Sequence, residues 1–281
     1  MTQQRHYRDT TNQAPTESAK SVLLTLLGEF AVPAQGGIWT GTAISSLASL
    51  GFSDRNVRQA LSRLSQDGVI SPHRNGRRTH WQLTGDGQQL LLNGAKRIYD
   101  FGQRAEPWDR HWLLVMCSIP ESRREKRRKL QAQLAFAGFG FLSPTVAISP
   151  HTDAEGEAAE ILRGLELDTI AVVLKAAPTD ATQSADLVDR SWNLEELASG
   201  YQRFLDTFES LHPENPEEAH TATVELVHAW RKFPFIDPEL PTELLPQDWV
   251  GLRARNCFRR SRTSWAQEAQ AHFNTLEASH Q

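Results

Sequence analysis

One short stretch of the chain limits its possible folds more than any other: a two-faced helix pattern followed at once by a hairpin pattern. Residues 54–66 repeat apolar side chains three and four positions apart, which predicts an amphipathic helix capped by Ser53. Two β-type runs follow at 69–73 and 79–83, on either side of an Asn75–Gly76 pair. An Asn-Gly pair between such runs is a strong hairpin signal.

Two further helices are predicted ahead of this stretch. Residues 18–32 carry an apolar stripe at helical spacing, and residues 42–50 form a second amphipathic pattern that Gly51 ends. A fourth helix is predicted from Thr84 to about residue 101. Three helices and then a hairpin, with a short turn between the second and third helices, is the order of a winged helix-turn-helix.

The third helix separates its side chains cleanly by polarity. Val57, Ala60, Leu61 and Leu64 fall within an arc of about 100°, and polar side chains that hydrogen-bond to base edges or phosphates fill the rest. An arginine-rich helix face by itself is more often merely solvated, and the helix order and the hairpin together favour DNA binding. The candidate DNA-binding residues of the helices and the hairpin are Thr42, Arg55, Asn56, Arg58, Gln59, Ser62, Arg63, His73, Arg74, Asn75, Arg77 and Arg78.

Charge is distributed unevenly along the chain. The net charge is −4, but residues 1–104 hold 12 Lys and Arg against 7 Asp and Glu, and the remainder is acidic. A basic N-terminal part is consistent with a nucleic-acid partner. Residues 1–17 are polar and predict a flexible tail rather than a secretory signal, with Arg5 and Arg8 as candidate phosphate contacts.

Beyond the predicted winged helix-turn-helix domain (18–104), the pattern changes twice. Residues 105–180 alternate strands and helices in the order β-α-β-β-α-β, which predicts a ferredoxin-like central domain. Residues 181–281 are predicted to be a helical C-terminal domain for effector binding and dimerisation. The expected fold class is therefore α+β.

Several classes of function lack their usual signals. Cys117 and Cys257 stand outside any metal-binding spacing and are expected to be buried thiols, so neither a metal nor a bound cofactor is expected. No nucleophile elbow, phosphate loop or zinc-protease motif is present, and no catalytic residue is predicted. No apolar run approaches the roughly 20 residues of a membrane span, so a cytoplasmic location is expected.

The sequence resembles the PaaX-type repressors of aromatic-acid catabolism. The resemblance rests on SVLLTLLGEF, FSDRNVRQALSRLSQDGVI and RNGRRTHWQLTGDG in the N-terminal part and on WDRHWLLVMCSIPESRREKRRKLQAQLAFAGFGFLSPTVAISP in the centre. It also rests on a long C-terminal block, VHAWRKFPFIDPELPTELLPQDWVGLRA. The resemblance implies a homodimer on a palindromic double-stranded DNA operator, released by an aryl-coenzyme A (CoA) thioester such as phenylacetyl-CoA.

That resemblance extends to small CRISPR-associated nucleases for the central domain. Those nucleases are expected to hold a metal through a carboxylate near the end of the first strand, whereas here Asp109 precedes the strand and the strand itself carries no acid. The protein is therefore not expected to be an enzyme.

A CoA thioester needs basic, aromatic and apolar partners, and two sets of residues offer them. Large aromatic residues more often pack in a core than hold a ligand, and a run of basic residues is more often solvated or extends a DNA contact. The favoured effector set is Arg190, Trp192, Tyr201, His228, Trp230 and Arg231, with Lys232 beside it. The second set, on the basic helix at 121–137, is Arg123, Arg124, Lys126, Arg127, Arg128 and Lys129.

Two other functions remain open from the residues alone. A CoA-thioester hydrolase would need a nucleophile and base, and no such pair is visible. A DNA-binding adaptor that responds to a protein partner would need no small-molecule site at all.

Overall fold

The structure, a computed structural model, describes four stretches of the chain: 18–33, 36–103, 107–180 and 182–281. The predicted tail, with Arg5 and Arg8, lies outside them. The chain divides into two compact units. Unit 1 consists of Met1–Tyr99, Leu211–Ala229 and Arg260–Gln281, and unit 2 consists of Asp100–Ser210 and Trp230–Arg259. The predicted C-terminal domain is thus shared between the two units.

Unit 1 contains the predicted helices and hairpin. In chain order its N-terminal elements are α1 (Ala19–Leu26) with a π-helical continuation (Leu27–Ala31), β1 (Gly37–Trp39), α2 (Thr40–Ala48), α3 (Asp54–Gln66), β2 (Ile70–Asn75), β3 (Arg78–Leu83) and α4 (Gly85–Asp100). Its remaining residues come from α9 (Pro216–Trp230) and from the C-terminal part of α11 (Val250–Ser279).

The hairpin strands pair with a third strand in an antiparallel sheet of order β1-β3-β2. Asn75 pairs with Arg78, so the connecting loop consists of Gly76 and Arg77 and not of the predicted Asn75–Gly76 pair. Gly76 has a φ of +59°. A positive φ at the first loop residue alone is the pattern of a type II′ turn, which places Gly at that position.

Helix α3 begins and packs as its pattern predicts. The Ser53 side chain accepts a hydrogen bond from the backbone N–H of Asn56 at 3.3 Å, which satisfies one of the exposed donors of the first turn. The four predicted apolar residues, Val57, Ala60, Leu61 and Leu64, are all buried. Since α3 packs chiefly against α1 and α2, these residues anchor it in the unit.

A buried ion pair joins three segments of unit 1. Glu29, in the π-helical continuation of α1, is 8% exposed. One of its carboxylate oxygens accepts from Arg262 Nε at 2.9 Å, and the other accepts from the Tyr99 hydroxyl. The Arg262 guanidinium also lies 4.1 Å from the centre of the Tyr99 ring. The charge of Glu29 is therefore paired with that of Arg262, and both carboxylate oxygens accept hydrogen bonds.

A buried histidine connects α9 to α2. His220 is 1% exposed, its Nε2 lies 3.0 Å from Ser46 Oγ, and its ring lies 4.5 Å from that of Phe30. Burial, followed by the charge of nearby His272, lowers the pKa of His220 to about 4. The neutral form is the one that this environment favours.

Unit 2 contains a four-stranded antiparallel sheet with helices. Its elements are β4 (Trp112–Cys117), α5 (Arg124–Phe136), β5 (Gly140–Ser143), β6 (Val146–Ser149), α6 (Glu155–Gly164), β7 (Ala171–Ala176), α7 (Thr182–Ser191), α8 (Leu194–Phe208), α10 (Phe233–Ile236) and the N-terminal part of α11. The sheet order is β5-β6-β4-β7. That order and the β-α-β-β-α-β chain order are those of the predicted ferredoxin-like sandwich.

One face of this sheet is covered by helices, and the other is covered only in part, since Val172 and Leu174 of β7 are exposed. Leu113, Val115 and Cys117 alternate onto the face that packs with residues of α5 and α6. Trp112 and Leu114 point to the opposite face, with Val188 of α7. A further cluster of buried rings, from α8, α10, α11 and the last residue of α9, includes Tyr201, Phe204, Trp230, Phe233 and Phe258.

The first prediction concerns the ion pair of Glu29. Replacing Arg262 by Ala leaves a buried carboxylate without its cation, so we expect the free energy of unfolding to fall by about 2–3 kcal/mol. The expected loss is smaller than for a fully buried ion pair because the Arg262 guanidinium is itself partly exposed. Urea unfolding followed by circular dichroism measures the change. Arg253→Ala is the control: its pair with Glu209 is exposed on both sides, and the expected loss is below about 1 kcal/mol. Equal losses in the two variants would contradict the argument.

The second prediction concerns pH. Because the folded pKa of His220 lies below its ordinary value of 6.5, its contribution to stability is complete above pH 6.5 and is lost as the pH falls towards 4. Once His220 is protonated in both the folded and the unfolded protein, the free energy of unfolding would be lower by roughly 3 kcal/mol. We expect His220→Gln to flatten the dependence of the unfolding free energy on pH between 6.5 and 4. An unchanged slope in this variant would contradict a buried neutral histidine.

Candidate nucleic-acid interface and candidate ligand cavities

The polar side of α3 faces away from the core of unit 1. All six predicted side chains of this helix are exposed: Arg55, Asn56, Arg58, Gln59, Ser62 and Arg63. Asn56 also takes part in the cap, since its Oδ1 accepts from Ser53 Oγ at 2.8 Å. Arginine, asparagine and glutamine are the residues that hydrogen-bond to guanine and adenine edges in the major groove.

The hairpin presents a second basic surface in the same unit. Its predicted residues are likewise exposed: His73, Arg74, Asn75, Arg77 and Arg78. The Arg78 guanidinium donates to the backbone carbonyl of Gln281. A hairpin with three arginines at its end is suited to phosphates or to a minor groove.

The structure corrects the prediction that Thr42 binds DNA. The prediction placed its side chain at a DNA surface, but Thr42 is completely buried and lies in the first turns of α2. A side chain enclosed by the core cannot reach a nucleic acid. Its Oγ1 has no hydrogen-bond partner among the described residues.

The base of the hairpin involves residues that the sequence did not indicate. The Trp81 indole N–H donates to Thr40 Oγ1 at 2.9 Å, and Thr40 Oγ1 donates to the Thr79 carbonyl at 3.1 Å. Glu277 of α11 accepts from the backbone N–H of Trp39 at 3.0 Å and lies 3.7 Å from His80. Burial lowers the pKa of His80, and the Glu277 charge opposes that effect. No local pattern could link residues some 200 positions apart.

The basic helix α5 belongs to unit 2. Two of the six predicted residues form ion pairs: Lys126 with Glu166 at 2.6 Å and Arg127 with Glu121 at 2.6 Å. The other four are exposed: Arg123, Arg124, Arg128 and Lys129. This face combines local ion pairs with solvated charges.

The favoured effector set is not brought together as one site. Tyr201 and Trp230 are each 1% exposed in the aromatic cluster of unit 2, and neither lines a described cavity. His228 belongs to unit 1, where its Nδ1 lies 2.9 Å from Thr25 Oγ1. Arg231 is partly buried, and Lys232 lies 5.4 Å from the Phe233 ring.

The other two members of that set, Arg190 and Trp192, line a cavity of about 510 Å³ in unit 2. Arg190 is exposed, and Trp192 stacks on Trp112 with their ring centres 6.2 Å apart. Of the predicted effector residues, these two meet at the wall of this cavity.

A larger cavity of unit 2, of about 920 Å³, is lined partly by the segment between α10 and α11. We call it the main cavity. Its lining residues are Gly102, Pro107, Trp108, Asp109, Pro150, His151, Thr152, Asp153, Asp237, Glu239, Leu240, Pro241, Thr242, Glu243, Leu245, Trp249, Leu252 and Arg255. The cavity therefore combines apolar and aromatic walls with several carboxylates.

Three of those carboxylates accept hydrogen bonds within unit 2. Asp109 accepts from Lys175, which lowers the pKa of Asp109 to about 2. Burial raises the pKa of Asp237, whose carboxylate accepts from the Tyr201 hydroxyl at 2.5 Å. Glu239 accepts from the Gly102 N–H at 2.5 Å.

Arg255 lies at the same wall. Its Nη1 donates to the Gly102 carbonyl at 2.8 Å, whereas its buried Nε has no hydrogen-bond partner among the described residues. Gly102 has a φ of +75°, and a Cβ there would lie 1.9 Å from the Arg255 guanidinium carbon. Glycine is therefore required for this approach.

Three further observations bear on the other expectations. Cys117 and Cys257 are free and buried, as predicted. Within the four described stretches, no group of three or more His, Cys, Asp or Glu side chains could hold a metal ion. None of the helices in these stretches is long and apolar enough to span a membrane.

The exposed polar helix and basic hairpin of unit 1 define a candidate nucleic-acid-binding protein, and comparison with known proteins places it in a family. Three family profiles match consecutive parts of the chain: PaaX-like protein (residues 18–87), PaaX protein central Cas2-like domain (105–188) and PaaX-like protein C-terminal domain (192–275).

A curated relative and a solved structure agree with these matches. The transcriptional repressor PaaX of Escherichia coli (strain K12) is 31% identical over 249 residues, which are 85% of this chain and 77% of that protein. The chain belongs to the PaaX family. The uncharacterized protein Rv0674 from Mycobacterium tuberculosis has a similar fold, with a TM-score of 0.63 at 22% identity over 90% of this chain and 98% of that one. The prediction of a regulator and not an enzyme agrees with this membership.

The third prediction tests α3 directly. Arg55→Ala combined with Arg58→Ala should weaken specific DNA binding by about 1–3 kcal/mol for each arginine and reduce the salt dependence if either contacts phosphate. Fluorescence anisotropy at several salt concentrations measures both quantities.

Arg123→Ala combined with Arg124→Ala is the matched control, because it removes the same charge from exposed positions of unit 2. We expect it to bind DNA as the wild type does. Equal weakening by the two double variants would show that net charge, rather than α3, determines the affinity.

Proposed function

We propose that this protein is a homodimeric transcriptional repressor of an aromatic-compound catabolic operon, released from its DNA operator by an aryl-CoA thioester. Residues 18–104 would act as a winged helix-turn-helix domain in the cytoplasm. Membership of a family with a named transcriptional repressor supports the regulatory role.

The observation that carries the proposal is the division of α3 into two faces. Its apolar residues are buried, while all six candidate base- or phosphate-contacting residues are exposed. A recognition helix must have this division, because one face holds it in the domain while the other enters the major groove. The basic hairpin supplies the wing beside it.

A dimer would read a palindromic operator with two such helices. In this arrangement the half-sites lie one helical turn of DNA, about 34–36 Å, or a multiple of it apart. The spacing makes binding sensitive to any change in the separation of the recognition helices.

The effector can release DNA only by preferring a protein conformation that binds DNA poorly. The coupling is reciprocal, so bound operator must weaken effector binding by the same factor. A CoA thioester fits the family resemblance, and the cavities of unit 2 provide space for part of such a ligand.

The fourth prediction tests the function as a whole. DNA fragments are selected in vitro from a random pool by the pure full-length protein, and their release is followed by anisotropy. We expect a palindromic sequence, and its release by micromolar phenylacetyl-CoA or another aryl-CoA but not by CoA or the free acid. At 100 times its dissociation constant, the effector should also stabilise the protein by about 2.7 kcal/mol.

Three results would contradict parts of the proposal. Failure to select any DNA sequence would contradict the proposed role as a DNA-binding regulator. Selection of a sequence that no acyl-CoA releases would contradict the proposed effector and favour an adaptor controlled by a protein partner. Accumulation of free thiol from the thioester would indicate a hydrolase.

A further inference from the structure

We propose that the end of helix α11 positions the basic hairpin of unit 1 for DNA, and that Glu277 is the positioning residue. We call residues 277–281 the α11 end. This inference rests on the proposed function, because it adds to the DNA-contacting side chains a group that acts through the hairpin. It makes the affinity for DNA depend on residues that are distant from the hairpin in the sequence.

The outer part of the hairpin has little packing to fix its position. Residues 72–78 are all exposed, and they include the five candidate DNA-binding residues of the hairpin. Exposed positions bury little apolar area, so packing stabilises them only weakly. The position of these side chains therefore depends on how firmly the base of the hairpin is held.

Glu277 holds the base of the hairpin at the edge of its sheet. The Glu277 Oε1 atom accepts a hydrogen bond from the backbone N–H of Trp39 at 3.0 Å, and its Oε2 atom lies 3.7 Å from His80 Nε2. Trp39 of β1 and His80 of β3 are opposite each other in the sheet. Because the Glu277 side chain is only 18% exposed, water would replace these contacts poorly.

The same carboxylate caps helix α2. Trp39 is the N-cap residue of this helix, and an indole has no acceptor with which to cap it. In a capping box, a glutamate of the first turn accepts from the N-cap N–H, and its charge interacts favourably with the helix dipole. The first turn of α2 carries no acid, and Glu277 supplies that group from another helix. Glu277 therefore connects the hairpin to the first helix of the predicted helix-turn-helix.

Two further contacts come from the α11 end. His280 Nε2 lies 3.4 Å from the Ser45 hydroxyl of α2. The His280 ring also lies against the α2 backbone, where a Cβ at Gly41 would overlap it. The backbone carbonyl of Gln281 accepts from Arg78 of the hairpin. The α11 end thus contacts α2 and the hairpin at the same time.

The position of the hairpin affects binding through its population. A hairpin that takes the binding position only part of the time binds DNA with an affinity reduced by that fraction. Loss of the Glu277 carboxylate would lower this fraction. Charge has the opposite effect, because removal of a negative charge beside a DNA-binding surface by itself strengthens binding to phosphates. Weaker binding would therefore report the position of the hairpin and not the charge.

The fifth prediction compares two variants of Glu277 in the full-length protein, with a DNA sequence that the wild type selects. Glu277→Ala should weaken binding by about threefold to tenfold. Glu277→Gln removes the same charge but keeps an acceptor for the Trp39 N–H, and it should bind at least as tightly as the wild type. Fluorescence anisotropy measures the affinities, and thermal unfolding shows whether each variant has folded.

Glu268→Ala is the matched control. It removes the same charge from an exposed position of the same helix, and we expect it to leave the affinity for DNA unchanged.

A double-mutant cycle tests whether Glu277 acts through the hairpin. When Arg74→Ala and Arg77→Ala have already removed two hairpin contacts, Glu277→Ala should weaken binding by less than about twofold further. In an Arg55→Ala variant of α3, it should keep its full effect. A general loss of stability would weaken binding by the same factor in both backgrounds.

Gly41→Ala provides a second variant if Glu277→Ala does not fold. The added Cβ should displace the His280 ring, while alanine itself favours helix α2. We expect a loss of DNA affinity that again disappears when the hairpin arginines are absent.

The outcomes separate this inference from the proposed function. If the wild type binds no DNA, the proposed function fails. If the wild type binds DNA and Glu277→Ala binds it equally well, Glu277 does not position the hairpin and the function stands. Binding by Glu277→Gln that is as weak as that of Glu277→Ala, or equal losses in the α3 and hairpin backgrounds, would also overturn the inference.

Discussion

The candidate DNA surface depends on one constraint, the burial of the apolar stripe of α3. Val57, Ala60, Leu61 and Leu64 are each no more than 3% exposed. Their burial fixes the rotation of the helix about its axis, so the polar residues between them must face outward. At roughly 1.5–3 kcal/mol for each large aliphatic side chain buried, a rotated helix that exposed the stripe would lose several kcal/mol.

That helix is held in a unit assembled from distant parts of the chain. The contact of His220 with Ser46 and Phe30 brings α9 against the N-terminal helices. The Glu29–Arg262 ion pair joins α11 to the continuation of α1. A hydrogen bond from the Trp39 N–H to Glu277 joins the same helix to β1. Two C-terminal segments, Leu211–Ala229 and Arg260–Gln281, thus form part of the unit that carries the candidate DNA surface.

In unit 2 most of the wall of the main cavity comes from loops and turns outside the sheet, and Leu252 and Arg255 of α11 complete it. The turn-rich stretch between α10 and α11 provides Asp237, Glu239 and Glu243, and the loop before β4 provides Trp108 and Asp109. The sandwich is the scaffold that holds these loops.

The sequence by itself determined the local elements. The spacing of apolar residues defined α3, and β-type runs with Gly76 between them defined the hairpin, because helix and strand periods are properties of neighbouring residues. It also indicated which faces are polar, and all the predicted residues of α3 and the hairpin are exposed. The exact turn residues were not determined, since Asn75–Gly76 and Gly76–Arg77 are both compatible with a short loop.

Only the tertiary structure decided what depends on residues far apart in the chain. The sequence places the polar Thr42 near the start of a helix, where an exposed side chain was predicted, but in the fold its side chain is buried. Tyr201 and Trp230 pack in the aromatic cluster of unit 2, while His228 belongs to unit 1, so the predicted effector set does not form one wall. The main cavity joins residue 102 and residues from the ranges 107–109, 150–153 and 237–255. Local periodicity sets which side of a helix is apolar, but long-range packing decides what that side contacts.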